Sequence, residues 1–305
     1  MKIADSVLDL IGHTPILKLN RMTGADDADV FVKLEGFNPG GSIKDRPGLY
    51  MIEKAESMGQ LKAGAIILEA TSGNTGIGLA MAAAIKGYPI VIVMPENMSE
   101  ERKKILRTYG AKLVLTPAVL GMAGAVAEAL KMAESDSRYF LVKQFENSAN
   151  AEAHALNTAL EIIEQMDGKL DVLVSGIGSG GTITGVASVL KKRMPDTRIV
   201  GVEPAGSAVL SGNPPGAHKI QGIGAGFIPS VLNIDLIDQI ISVEDNDAIE
   251  MCRMLARQEA LPLGISSGAA IFAALYLARQ LGKGSRILAI APDGADKYMS
   301  TELFI

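Results

Sequence analysis

Cysteine, tryptophan and histidine are scarce in this chain. One cysteine, Cys252, no tryptophan and three histidines occur in 305 residues. A single thiol excludes an internal disulfide and fits a reducing compartment. Cys252 falls within the helical pattern Asp247–Glu259, where it reads as core filler rather than nucleophile. His13 lies in the Gly/Pro turn Ile11–Pro15 and reads as structural, and no metal site is expected. No uninterrupted apolar run approaches the ~18 residues of a membrane span, so none is expected. Basic tracts are also lacking. Lys191-Lys192-Arg193 is the densest cluster, and it ends a helical segment, where the dipole favours cations. With a net charge of −5 and pI ≈ 5.4, nucleic-acid binding is not expected. Met1 to Pro15 carries Asp5 and Asp9 without a basic segment and apolar core, so no secretory signal and a cytoplasmic protein are expected.

Apolar residues and glycine are plentiful, at 48% and 33 residues. The length can bury a large core and suits two lobes. Short apolar runs alternate with turns and helical segments. The first set is Ala65–Glu69, Ile77–Lys86, Pro89–Met94, a charged helix to Tyr109, Lys112–Leu115 and Met122–Glu134. A second set is Tyr139–Lys143, Ala151–Met166 (with His154), Asp171–Ser175, Ile183–Lys192 and Arg198–Glu203. Asn213–Phe227 reads as a long irregular segment. Asn246–Glu259 and Ser267–Leu281 read as helices and Arg286–Ala291 as a last strand. Ile16–Asn20, Val30–Leu34 and a Leu49–Met58 helix precede them. This order predicts an α/β protein of two open, mostly parallel sheet lobes with flanking helices, their turns facing a cleft. The expected division is 1–35 plus 147–305 for the larger lobe and 36–146 for the smaller.

Three turns carry candidate chemistry. In Asn38-Pro39-Gly40-Gly41-Ser42-Ile43-Lys44-Asp45-Arg46, Ser42 and Asp45 have the spacing of a capping box, which predicts a helix start. Lys44 then meets the positive end of the helix dipole, which would lower its pKa and suit imine chemistry. Gly176-Ile177-Gly178-Ser179-Gly180-Gly181-Thr182 joins a strand to a helix. Its glycines admit an anion to backbone N–H groups, and Ser179 and Thr182 suit a monophosphate. The same glycines, with Glu203 ending the next strand, also match a dinucleotide-binding fingerprint, so an NAD-dependent oxidoreductase is the competing reading. Thr71-Ser72-Gly73-Asn74-Thr75-Gly76 is a second helix-start turn, rich in hydroxyls, that suits a carboxylate. A lysine, a phosphate turn and a carboxylate turn together describe pyridoxal phosphate acting on an amino acid.

With these motifs, and with His218–Pro229 and Gly264-Ile265-Ser266-Ser267-Gly268, the chain resembles the cysteine synthase (O-acetylserine sulfhydrylase) family from about Ile11 to Leu303. This is a group of pyridoxal-phosphate enzymes of fold type II, related to tryptophan synthase β. The resemblance implies that Lys44 carries the Schiff base and is the catalytic residue, and that Asn74 contacts the cofactor's 3′ oxygen. It implies that Gly178, Ser179, Gly180, Gly181 and Thr182 hold the phosphate, and that Ser266 faces the pyridine nitrogen. Thr71, Ser72, Thr75 and Gln144 would bind the substrate carboxylate. The implied reaction replaces the acetoxy group of O-acetyl-L-serine by sulfide through an aminoacrylate, giving L-cysteine and acetate. It further implies a homodimer whose smaller lobe closes over substrate, and a serine acetyltransferase whose C-terminal tail enters the carboxylate turn. Homocysteine as the nucleophile, in a cystathionine β-synthase-type reaction, and a non-enzymatic partner-binding homologue are the alternatives. Ser148 and Ala295 depart from the family's usual proline and glycine.

Overall fold

The computed structural model describes residues 3–299, 301 and 303. By internal contacts the chain divides into Met1–Ile11 with Lys44–Asn150, and Gly12–Ile43 with Ala151–Ile305. The sequence-based breaks fall at 35/36 and 146/147, and Met1, Lys2, Ser300, Glu302, Phe304 and Ile305 lie outside the described residues. The strands are β1 (Ile16–Lys18), β2 (Asp29–Leu34), β3 (Ile66–Ala70), β4 (Ile90–Pro95), β5 (Lys112–Thr116), β6 (Tyr139–Leu141), β7 (Val172–Gly176), β8 (Arg198–Pro204), β9 (Gln239–Val243) and β10 (Arg286–Ala291).

The unit that begins its main segment at Lys44 holds a parallel sheet in the order β5-β4-β3-β6. Its central strands are near-continuous apolar runs because both faces are covered, and every residue of β4 is buried. Side chains alternate with the two-residue strand period. Ile67, Ile92 and Met94 pack with helices Asp45–Ser57, Asn74–Lys86 and Glu100–Thr108. Leu68, Ala70, Val91 and Val93 pack with Ala125 and Ala129 of helix Gly121–Ser135. Each large side chain so buried contributes roughly 1.5–3 kcal/mol.

The second unit holds six strands in the order β1-β2-β10-β7-β8-β9, all parallel except the β1–β2 pair. Leu173, Leu288 and Ile290 face helices Ala159–Gln165 and Gly181–Arg193. Val172, Val174, Ile287 and Ala289 face helices Asp245–Gln258 and Ile265–Leu281. The α/β class with two mostly parallel sheets is as the alternation of apolar runs and helices predicts. Residues 212–233 contain no helix or strand, matching the irregular segment read from glycine and proline. β9 was not expected: its residues are mostly half-buried at the sheet edge, so no clean alternation announces it. Helix formation around His154 also has a feature that no pattern signals, a π-helical turn over His154–Thr158 between Ala149–Ala153 and Ala159–Gln165.

Two glycines set how closely helices Asp45–Ser57 and Asn74–Lys86 approach. A β-carbon on Gly48 would sit 2.7 Å from the Gly78 carbonyl carbon, and one on Gly78 would sit 2.5 Å from the Lys44 carbonyl oxygen. Both obstacles are backbone, so neither can swing aside. Gly78→Ala is therefore expected to destabilise the protein by about 1–3 kcal/mol through overpacking, after allowing for the helix propensity alanine gains. Gly76→Ala meets only side-chain atoms of Thr71 and Leu106, at 3.1 and 3.4 Å, and should be close to neutral. Urea midpoints of the two variants check this, and equal midpoints would refute it.

Candidate active site

Lys44 is the N-cap of helix Asp45–Ser57 and has αR backbone angles, without a side-chain cap. The helix starts later than the capping-box spacing of Ser42 and Asp45 suggests. Asp45 occupies the first helical position rather than the third, and Ser42 is still extended in an isolated bridge with Asp293. Tertiary pairing thus delays the helix past the point that local spacing suggests. The pKa of Lys44 does fall, to about 8, but its cause is desolvation by burial. The direction expected from the helix dipole is right, but burial rather than the dipole lowers this pKa. The residue as a whole is only half-buried, so it is the surroundings of the amine end that disfavour the ammonium.

The hydroxyl-rich turn Thr71–Gly76 grows from the end of β3. Thr71 N–H donates to the Val93 carbonyl at 3.0 Å, and Thr71 Oγ1 accepts from Gly73 N–H at 3.2 Å. Gly73 is the N-cap of helix Asn74–Lys86 and has no side chain to satisfy the first-turn N–H groups. Asn74 and Ser72 are half-buried, Thr71 and Thr75 buried. Arg102 Nη1 donates to the Ser72 carbonyl at 2.7 Å and braces the turn. Thr75 Oγ1 donates to Gln144 Oε1 at 2.6 Å, joining residues 69 apart in sequence. Lys44 is tied to the same group by its carbonyl's close approach to Gly78, four residues after Asn74. One unit therefore assembles Lys44, Thr71, Ser72, Asn74, Thr75 and Gln144.

The other unit assembles the remaining candidates. Gly176–Thr182 leaves β7 and enters helix Gly181–Arg193, whose N-cap Gly180 is left-handed at φ 83° and makes no side-chain cap. A side chain on Gly180 would also meet Leu232 at 2.7 Å, so glycine is required there twice over. Gly178 lies against the Gly222 carbonyl, and a β-carbon on Gly222 would lie 3.8 Å from Ser266 Oγ. Ser179, Thr182 and Ser266 are buried. Buried hydroxyls, helix-start N–H groups and no acidic residue from Gly176 to Thr182 fit a phosphate monoester. Ser266 sits in the first turn of helix Ile265–Leu281.

Several contributors were not singled out from sequence. His154 shares a hydrogen bond with Thr182 Oγ1 at 3.3 Å through Nε2 and one with Thr158 Oγ1 at 2.9 Å through Nδ1. The His154/Thr158 spacing of four residues on a helix was the available signal. Arg102 and Glu69 gave none, because their partners are distant in sequence. Glu203, the acid of the dinucleotide reading, is buried and engaged internally. It accepts from Leu210 N–H at 2.9 Å, Ser211 Oγ at 2.5 Å and Ser242 Oγ at 3.3 Å, so its oxygens serve a loop rather than a ribose. Cys252 is fully buried in helix Asp245–Gln258, and burial pushes its thiol up to about 12, as a core residue requires. At the two departures from the family pattern, Asn147 Oδ1 accepts from Ala149 N–H beside Ser148, and Ala295, itself buried, opens the turn Ala295–Tyr298.

The chain's similarities point the same way. A cysteine synthase of Staphylococcus aureus is 50% identical over 304 residues, 99% of this chain and 98% of that protein. The crystal structure of a cysteine synthase from Entamoeba histolytica superposes with a TM-score of 0.97 at 42% identity, covering 99% of this chain and 91% of that one. An O-acetylserine dependent cystathionine beta-synthase from Helicobacter pylori superposes with a TM-score of 0.93 at 40% identity, with both chains covered in full. Residues 7–293 match the family model described as pyridoxal-phosphate dependent enzyme. A desolvated lysine, a phosphate-type turn and a hydroxyl-rich turn thus stand within a matched family, and the chain belongs to the pyridoxal-phosphate dependent enzymes.

Proposed function

We propose that this protein is a cysteine synthase that converts O-acetyl-L-serine and sulfide into L-cysteine and acetate. The observation that carries the reading is the Lys44 amine, held by burial at a pKa of about 8 in the same unit as the Thr71–Gly76 turn. Pyridoxal 5′-phosphate, when bound, supplies an electron sink that acidifies the α-proton of an attached amino acid. Lys44 would hold it through its amine. Gly178, Ser179, Gly180, Gly181 and Thr182 would hold its phosphate, Asn74 its 3′ oxygen, and Ser266 its ring nitrogen. A serine hydroxyl at that nitrogen, unlike a carboxylate, does not enforce protonation, which favours β-elimination over long-lived carbanion chemistry. Thr71, Ser72, Thr75 and Gln144 would receive the substrate carboxylate. Lys44 Nζ, with a pKa close to neutral, is matched to take the proton from the α-carbon and return it after sulfide adds.

The similarity to the Helicobacter pylori enzyme favours a second reading, in which homocysteine replaces sulfide. We further propose a cytoplasmic homodimer. No helix among the described residues is long and apolar enough to cross a membrane. A carboxylate turn of this kind also suits the C-terminal carboxylate of a partner chain, such as the serine acetyltransferase tail that the family resemblance suggests. The apolar wall for its last side chain would include part of Gly121-Met122-Ala123-Gly124.

The purified protein should be yellow, and Lys44→Ala should abolish covalent retention of the chromophore and turnover. Because attachment needs the neutral amine, the rate at which the apoprotein regains its absorbance should climb about tenfold per pH unit and level off near pH 8. An ordinary lysine would keep climbing toward ~10.4, which would contradict the buried-amine argument. In parallel assays with O-acetylserine, sulfide should support faster turnover than homocysteine, and the reverse order would favour the second reading. A decapeptide ending in isoleucine should compete with O-acetylserine, and its C-terminal amide should not. Exchange of that isoleucine for alanine should weaken binding roughly thirtyfold, from about 2 kcal/mol of lost burial.

A further inference from the structure

Glu69 lies in β3, two residues before Thr71, and is 3% exposed. Its Oε2 accepts the Lys143 N–H at 2.8 Å and its Oε1 the Gln144 N–H at 3.3 Å. The Gln144 side chain is a further hydrogen-bond partner of the same carboxyl group. These bonds hold a turn in which Lys143 is left-handed, at φ 57°, a conformation that costs a non-glycine residue about 1–2 kcal/mol. Gln144 Oε1 in turn accepts from the Thr75 hydroxyl at 2.6 Å. A chain of hydrogen bonds therefore runs from Thr75 through Gln144 to Glu69, and every donor in it points toward Glu69.

This direction has a consequence for anion binding. While Glu69 is ionised it can only accept, so the Gln144 amide turns its NH2 toward Glu69 and its carbonyl toward Thr75. The Thr75 proton is then spent on Gln144 and is not available to a ligand. A protonated Glu69 can donate to Gln144 Oε1, which turns the amide over, and the amide NH2 then donates to Thr75 Oγ1. The Thr75 hydroxyl is released to donate outward.

We propose that Glu69 is a proton-linked positioning residue, which takes up a proton as an amino-acid carboxylate binds and thereby reverses the Gln144–Thr75 hydrogen bonds so that Thr75 donates to that carboxylate. The proposal rests on the carboxylate-binding role given above to Thr71–Thr75 and Gln144. It adds the protonation state on which that role depends.

The surroundings favour such a proton. Burial raises the Glu69 pKa to about 7 against the opposing hydrogen bonds of Lys143 and Gln144, and the Glu146 charge raises it further. The Lys143 ammonium is paired with Glu146 at 3.3 Å. The flanking strands supply only Tyr139, in β6, as an ionisable side chain, and β4 supplies none. Helix Gly121–Ser135 carries Glu128, Lys131 and Glu134 but packs on the Leu68 face, opposite the strand position of Glu69. On the Glu69 face, helix Asn74–Lys86 has no ionisable side chain before Lys86, helix Asp45–Ser57 carries Asp45, Arg46, Glu53, Lys54 and Glu56, and helix Glu100–Thr108 carries Glu100, Glu101, Arg102, Lys103, Lys104 and Arg107. A bound carboxylate adds a negative charge beside this group and favours its protonation again.

Titration calorimetry of the holoenzyme with L-alanine, which has no leaving group at its β-carbon, provides the test. Binding is measured at pH 8 in buffers of different ionisation enthalpy, for the wild type and for Glu69→Gln, which mimics the protonated form. The wild type should take up close to one more proton per ligand than the variant. Between pH 7 and 8.5 its affinity should fall, relative to the variant, by roughly fifteenfold in all, steepening toward tenfold per unit at the upper end. Equal proton counts in the two proteins would overturn the Glu69 proposal and leave the carboxylate turn intact. Failure of L-alanine to bind either yellow protein would overturn the carboxylate turn itself, and this proposal with it. Should Glu69→Gln not fold, infrared difference spectra of the wild type still decide. A carboxylic-acid C=O band must grow at pH 8 as L-alanine binds, and its absence refutes the proposal.

Discussion

The proposed chemistry rests on one condition, that the amine of Lys44 is kept out of water. An ammonium loses hydration on burial, so its pKa drops and the neutral form becomes accessible near physiological pH. That condition is costly to the fold. It is sustained because the backbone of Lys44 is locked against helix Asn74–Lys86 through Gly48 and Gly78, where no side chain could be accommodated. The same helix opens at Asn74, so one packing contact fixes the lysine relative to the hydroxyl-rich turn. Helix–helix packing and the geometry of the proposed site are here one constraint.

The two units carry related helix starts, for which different anions are proposed. Each presents a helix start without a side-chain cap after a parallel strand, Gly73 in one and Gly180 in the other. Parallel sheets bury both faces, so functional groups collect on the turns that leave the strands. What separates the turns is what stands behind them. Thr182 is backed by His154 in a π-helical turn, a feature frequent at functional positions. The Thr71–Gly76 turn is backed by Arg102, Gln144 and Glu69, a mixture of charge and amide that makes its hydrogen bonding sensitive to protonation.

Legibility from sequence followed the range of the interaction. Apolar runs of four to six residues, glycine turns and helical segments are local signals, and they gave nearly every strand and helix to within a few residues. β9 escaped because an edge strand buries little and need not alternate. The Ser42/Asp45 capping box had the correct spacing, yet Ser42 pairs with Asp293, some 250 residues away, and the helix starts later. The dinucleotide reading had the correct glycines, and it lost its acid when Glu203 proved committed to Leu210, Ser211 and Ser242.

By itself the sequence determined the α/β class and the position of the three glycine- and hydroxyl-rich turns, because glycine, proline and hydroxyl positions constrain backbone shape over a few residues. Its motifs also carried the family resemblance. Tertiary structure alone decided that Lys44 is desolvated, that Thr75 meets Gln144, and that Glu69 stands behind both. Desolvation and hydrogen-bond direction depend on which atoms surround a group in space, and those atoms come from segments up to 75 residues apart in the chain.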